Sequence, residues 1–222
     1  MNRLVPTALA TLFLLAAMPC RADDDARNLY VEQLKKPAQP INSGISYWLE
    51  LNKNGKLTHV SNKKTFHNGD RIRLHVKPNF TGYAYILMME GSQGNHDVLF
   101  PSKKFPKNRI TAGKEIALPV GNDGALAWMK FDEHPGKEVL RVICSRKPID
   151  AKKQFAKDED TVVIASTDGS SDDTVPSGSS VSVESRNLTV EQSKPHLTGA
   201  VTVVNHNPQT LLSVDITLNH QD

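Results

Sequence analysis

Cysteine is nearly absent from the chain, which has only Cys20 and Cys144 in 222 residues. With no CxxC pair and no Cys/His cluster at zinc spacing, neither a disulfide scaffold nor a structural metal is expected. A surplus of charge is missing too. The 27 Lys and Arg oppose 24 Asp and Glu, a formal +3 that falls to +1 once Arg3 and Arg21 of an N-terminal leader are set aside. Such a balance gives no argument for nucleic acid as a partner. No apolar run reaches the roughly 20 residues that a spanning helix needs, and HExxH, GxSxG and glycine-rich phosphate loops do not occur. No internal repeat is visible. Neither catalytic residues nor a cofactor are therefore expected, on a chain whose 38% hydrophobic content suffices for a core in one or two domains.

Residues 1–22 read as a signal peptide. Arg3 gives the positive start, Leu4 to Ala17 a short apolar stretch, and Cys20 and Ala22 the small residues before a cleavage site that Asp23-Asp24-Asp25 follows. A periplasmic or secreted location follows from cleavage after Ala22. The alternative, a lipoprotein modified at Cys20, is disfavoured by Pro19, which stands where a small residue is normally accepted. Cleavage leaves Cys144 as the one thiol. It lies in the apolar run Val139 to Cys144, without the cationic and histidine neighbours of a reactive cysteine, so it reads as buried and inert.

The mature chain changes period as it proceeds. Residues 23–40 are a linker or short helix, with a weak stripe of Leu29, Tyr30, Val31 and Leu34 that ends before Pro37. From Ile45 the period is two, with Ile45, Tyr47, Leu49 and Leu51 on one face, and Asn54-Gly55 then signals a tight hairpin. Ile72, Leu74 and Val76 alternate with Arg71, Arg73, His75 and Lys77, giving a strand with a basic outer face. Tyr83 to Met89 reads as a central strand, and further strands are expected at His96 to Phe100, Glu115 to Leu118, Ala125 to Phe131 and Glu138 to Cys144. Short strands between Gly, Pro and Asn turns predict an all-β, antiparallel, immunoglobulin-like β-sandwich over 41–150. Its expected core includes Tyr83, Tyr85, Leu87, Val98, Leu140 and Val142. Residues 151–180 read as a linker whose Ser166 to Ser180 part is too polar to order itself. Residues 181–222 return to strands and end in an expected hairpin of Ala200–His206 with Leu212–Leu218, docked on the sandwich.

Between Thr65 and Ile149 a series of short motifs appears in a characteristic order. Phe66-His67-Asn68-Gly69-Asp70 precedes an alternating strand, Asn79-Phe80-Thr81-Gly82-Tyr83 opens the central one, and Leu99-Phe100-Pro101 closes the next. Asn108-Arg109-Ile110-Thr111-Ala112-Gly113, Leu118-Pro119 and Pro135-Gly136-Lys137-Glu138 follow. In this order the segment resembles a bacterial family catalogued as domain of unknown function 4384. Ser185-Arg186-Asn187-Leu188 and the closing Leu218-Asn219-His220 are similar to the tail of such proteins. The resemblance implies an accessory domain and brings no catalytic residues with it. The motifs themselves read as fold determinants, with Gly82 releasing a turn and Tyr83 and Tyr85 filling the interior.

Local chemistry is sparse. His59, His67 and His75 are spaced eight apart, but His67 falls in a turn and His75 on a solvent face, so the spacing is taken as accidental rather than as a metal site. The strongest electrostatic feature is basic: Arg71, Arg73 and Lys77 on one strand, with Lys103, Lys104, Lys107 and Arg109 in the region after the next. If these converge they suit an acidic partner or an anionic polymer; a solvated face is the plainer use. Trp48 and Trp128 offer stacking surfaces, or core filling. The expectation is a non-catalytic binding or assembly module of the envelope with a protein partner. The alternative is a hydrolase of wall or peptide substrates using Asp97, Asp132 or Glu133 beside His134. N-terminal sequencing of the exported protein should begin at Asp23; a lipid on Cys20 would instead place it on a membrane surface.

Overall fold

Strict alternation of apolar and polar side chains buries one face of a strand, and in this chain it does so on two sheets that share a single interior. The computed structural model describes residues 26–120, 127–155, 161–164, 188–192 and 200–222. The expected leader and the stretch 166–180 lie outside the described residues.

Strand β1 (Ser43–Lys53) turns at Asn54-Gly55, both in the left-handed region with φ of 54° and 83°, into β2 (Lys56–Val60). This is the geometry a two-residue hairpin requires. After β3 (Thr65–His67), strand β4 (Arg71–Pro78) pairs antiparallel with β1, and β5 (Gly82–Glu90) crosses to the second sheet. β6 (Asp97–Phe100), β7 (Arg109–Ile110), β8 (Ile116–Leu118), β9 (Met129–Lys130) and β10 (Gly136–Ser145) follow. The chain continues through a 3-10 turn, Ala151–Phe155, to β11 (Thr161–Ile164), β12 (Leu188–Gln192), β13 (Val201–Asn205) and β14 (Leu212–Gln221). The first sheet runs β12-β13-β1-β4-β8, with β2 also on β1 and β9 also on β4. The second runs β11-β14-β10-β5-β6, with β3 on β14 and β7 on β5. The fold is an all-β sandwich, antiparallel except where β11 and β3 run parallel to β14.

Ile45, Tyr47, Leu49, Leu51, Ile72, Leu74 and Val76 of the first sheet meet Ala84, Ile86, Leu140, Val142, Val214, Ile216 and Leu218 of the second in one core. Cys144 is fully buried in it, and burial pushes its thiol up to about 12. A short helix, α1 (Ala26–Lys35), lies against the first sheet near β13. Its Tyr30 hydroxyl donates to the Lys77 carbonyl at 3.0 Å, and the Gln33 side-chain oxygen accepts from the amides of Ile41 and Asn42. No helix among the described residues is long and apolar enough to cross a membrane.

Three expectations are corrected. The closing strands do not pair with one another: β13 joins β1 and β12 in the first sheet, whereas β14 joins β10, β11 and β3 in the second. Ser213, Asp215 and Thr217, which alternate with the core residues of β14, are buried as well, so this strand needs neighbours on both edges and cover on both faces. Of the expected core residues Leu140 and Val142 are interior, but Tyr83, Tyr85, Leu87 and Val98 are not. These four share the outer face of the second sheet with Ile143, under Ile149 and Phe155, where the Tyr85 hydroxyl accepts from the Ile149 amide at 3.0 Å. Gly82 serves close approach rather than a turn, since a Cβ there would press into the Ser145 carbonyl.

Because the obstacle is backbone, Gly82→Ala should cost about 1–3 kcal/mol, typical of overpacking, read as a lowered denaturation midpoint. Gly55→Ala, in an open left-handed turn, should leave the β5–β10 pairing intact and cost about 1 kcal/mol.

Candidate functional site

Two assemblies of polar side chains stand apart from ordinary surface. The first is on the outer face of the first sheet. Register places Trp48 opposite His75, and Glu50 opposite both His59 and Arg73. The His75 ring stacks on Trp48 at 5.1 Å and 16°, and His59 is tilted 5.8 Å from Trp48 and 6.0 Å from His75. Two of the three evenly spaced histidines thus come together, though around an indole; His67 is elsewhere, 3.9 Å from Asp70. His75 bridges Glu50 (3.1 Å) and Glu115 (2.8 Å). Arg73 donates to Glu50 and lies 4.5 Å over the Trp128 ring. Burial alone would raise the Glu50 pKa, but hydrogen bonds and charge from Arg73 and His75 outweigh it and hold the carboxyl below its ordinary value.

The seven basic residues singled out in the sequence are therefore spread over three elements. Arg71, Arg73 and Lys77 are on β4, where Arg73 is committed to Glu50 and Trp128 while Arg71 and Lys77 are exposed. Arg109 is on β7 opposite Tyr83 in the second sheet and donates to the Tyr83 hydroxyl at 3.2 Å. Lys103, Lys104 and Lys107 occupy the loop between β6 and β7, with the Lys104 ammonium 5.4 Å over the Phe105 ring.

The second assembly is a cleft of about 380 Å³ at one end of the sandwich. Ile72 and Met129 wall it from the first sheet, Met88, Leu140 and Leu218 from the second, and Phe105, Trp128 and Phe131 close it. Lys104 and Lys130, both exposed, are at its rim. Among these apolar walls stands one carboxylate, Glu138 of β10. Desolvation, and then the charge of Asp132, raise its pKa. Behind it the fully buried His220 side chain approaches to 3.8 Å and leans on Phe131 at 5.1 Å, with neither ring nitrogen hydrogen-bonded among the described residues.

Sequence reasoning passed over Glu138 and His220 as site residues. The signal was present in the alternation: Glu138 continues the inward series Cys144, Val142, Leu140, and His220 continues Leu212, Val214, Ile216, Leu218. An ionisable residue in an inward register position is the informative departure from pattern. The carboxylates named for hydrolysis are differently placed. Asp97 accepts from the amide of Val98 at 2.8 Å, and Asp132 accepts from the amide of His134 at 2.8 Å with its ring 3.4 Å away, which holds the Asp132 carboxyl below its usual range. Glu133 and His134 are exposed in the same loop.

Fold and cleft together define a β-sandwich with an apolar opening between its sheets. Residues 65–148 match the family described as Domain of unknown function (DUF4384), in agreement with the motifs that run from Phe66 to Glu138. No curated protein and no solved structure matches the chain.

The two environments give the carboxylates opposite pH signatures. Ionised Glu50 stabilises the fold above the ordinary glutamate pKa of ~4.3, and that contribution is lost as pH falls through its lowered folded value. Glu50→Gln should therefore cost about 3 kcal/mol at neutral pH, near the lower end for breaking a buried pair, with the deficit shrinking on acidification. Ionisation of Glu138 works against folding as pH rises through its raised pKa, so Glu138→Gln should be more stable than the parent at neutral pH and equal to it below ~4. Denaturant unfolding from pH 3 to 8 reads both.

Proposed function

We propose that this protein is an exported, non-catalytic binding module of a bacterial envelope, and that its working surface is the cleft between the two sheets. One observation carries the reading: apolar side chains from both sheets line about 380 Å³ of accessible space at the end of an otherwise filled core. That volume falls in the range of small-ligand sites, roughly 300–1,000 Å³. The leader-like residues 1–22 support export. Binding rather than turnover is supported by the loop 132–134, where Asp132 is engaged with the His134 backbone and ring. A protein of the envelope that presents an apolar group is the partner this reading expects. The sheet-face array of Trp48, His75, Glu50 and Arg73 then acts as a rigid support for Trp128 at the cleft wall.

Trp128 is a built-in reporter. In a Trp48→Phe variant, titration with the uncharged probe N-phenyl-1-naphthylamine should give saturable, one-to-one energy transfer from Trp128. Ala127→Phe, which fills the cleft from its wall, should abolish the transfer with circular dichroism unchanged. Unsaturable transfer, or equal transfer in the filled variant, would refute the cleft as a binding site. Release of soluble products from purified wall material, lost in Glu133→Ala or His134→Ala with the fold intact, would replace the non-catalytic reading by the hydrolase.

A further inference from the structure

The chemistry of the rim and of the walls differs, and the difference specifies a ligand. Met88, Leu99, Leu140 and Leu218 give the cleft a non-aromatic wall facing the rings of Phe105, Trp128 and Phe131, and the whole space is more than twice the ~150 Å³ of a cavity that holds benzene. A single protruding side chain underfills it. The rim bears two cations from opposite walls, Lys104 of the loop after β6 and Lys130 of β9, and among the described residues neither is paired with a carboxylate. Lys104 lies over the Phe105 ring, and Lys130 is the register partner of exposed Arg71, so cations border the mouth on both sides, with Asp132 the exposed carboxylate near enough to act on Glu138.

We infer that the cleft binds a soluble amphipathic anion, a single alkyl chain lying between the sheets with its carboxylate held by Lys104 and Lys130. The inference rests on the cleft being a binding site, and it replaces the protein-borne apolar group by a free amphiphile of stated shape and sign. Apolar burial supplies affinity in proportion to chain length, and the lysines supply selection by charge. Glu138 lines the same cleft beside Leu140 and Leu218, and its charge keeps the ligand's carboxylate at the lysines.

Competition against N-phenyl-1-naphthylamine separates this inference from the one on which it rests, because the neutral probe reports the cleft whatever the charge preference. Octanoate, decanoate and dodecanoate, each below its micelle concentration, should displace the probe with affinity rising about three- to fourfold per methylene. Dodecylammonium and the neutral dodecyl maltoside should compete at least tenfold less well than dodecanoate. Lys104→Ala with Lys130→Ala, both at exposed positions, should weaken dodecanoate about tenfold more than it weakens the neutral probe. Tighter binding of dodecylammonium than of dodecanoate would overturn the inference and make Glu138 the selecting group. Chain-length independence would overturn it in favour of a peptide side chain. Co-sedimentation with phosphatidylglycerol vesicles that survives Ala127→Phe, without dodecanoate competition, would assign the lysines to a membrane surface instead.

Discussion

The ladder between β10 and β14, Gly136 to Cys144 against Leu212 to His220, is the constraint on which the rest of the structure depends. It fixes at once which residues of two long strands face the core and which face outward. Inward go Leu140, Val142 and Cys144 with Leu212, Val214, Ile216 and Leu218. Outward go Arg141 and Asp215, direct register partners joined by two charge-assisted hydrogen bonds of 2.6 and 2.8 Å. A slip of one residue would bury both charges without partners, which is why such a pair specifies register even where its net contribution to stability is small. The same guanidinium donates to the Gln154 carbonyl at 3.0 Å and so ties the 3-10 turn over the outer face of the second sheet. That cover explains why Tyr85, Leu87 and Ile143 are buried outside the sandwich interior.

The ladder also shows why residues 65–148 alone do not describe the architecture. In this chain β4 completes its ladder with β1, and β10 with β14, and both partners lie outside the matched segment. Of the strands before and after it, β1, β13 and β14 are internal members of the two sheets rather than attachments. β14 has β10 on one edge and the parallel strands β11 and β3 on the other, and β13 stands between β1 and β12.

Where alternation was clean and one face was solvated, the sequence was legible. The inward faces of β1 and β4 and the Asn54-Gly55 hairpin follow from period and turn chemistry. Legibility failed for two physical reasons. Parallel pairing leaves no local turn signal, so the three-residue β3 and its place beside β14 had no mark in the chain. A polar residue buried by a partner far away looks the same in sequence as one facing water, as Asp215 and His75 both show. The site failed likewise. The basic residues were legible as charge, but their distribution over β4, β7 and the loop after β6 is set by which sheet each strand joins, a non-local decision.

The cleft is a consequence of the same strand economy. Strand β4 has β8 along Leu74 to Val76 and β9 along Arg71 and Ile72, and Pro119 and Ala127, next to these two short strands, line the cleft. Elsewhere the core is closed by Phe66, Phe80 and Phe100, all fully buried. At the open end the inward positions pass from Leu140 to Glu138 and from Leu218 to His220. Apolar residues at those two positions would continue the core and remove the cost of desolvating an acid and an imidazole. A chain under selection only for stability has no physical reason to retain a carboxyl whose ionisation opposes folding. Departures from local consistency of this kind concentrate where a protein works, and here the departure coincides with the apolar cleft and its two rim lysines.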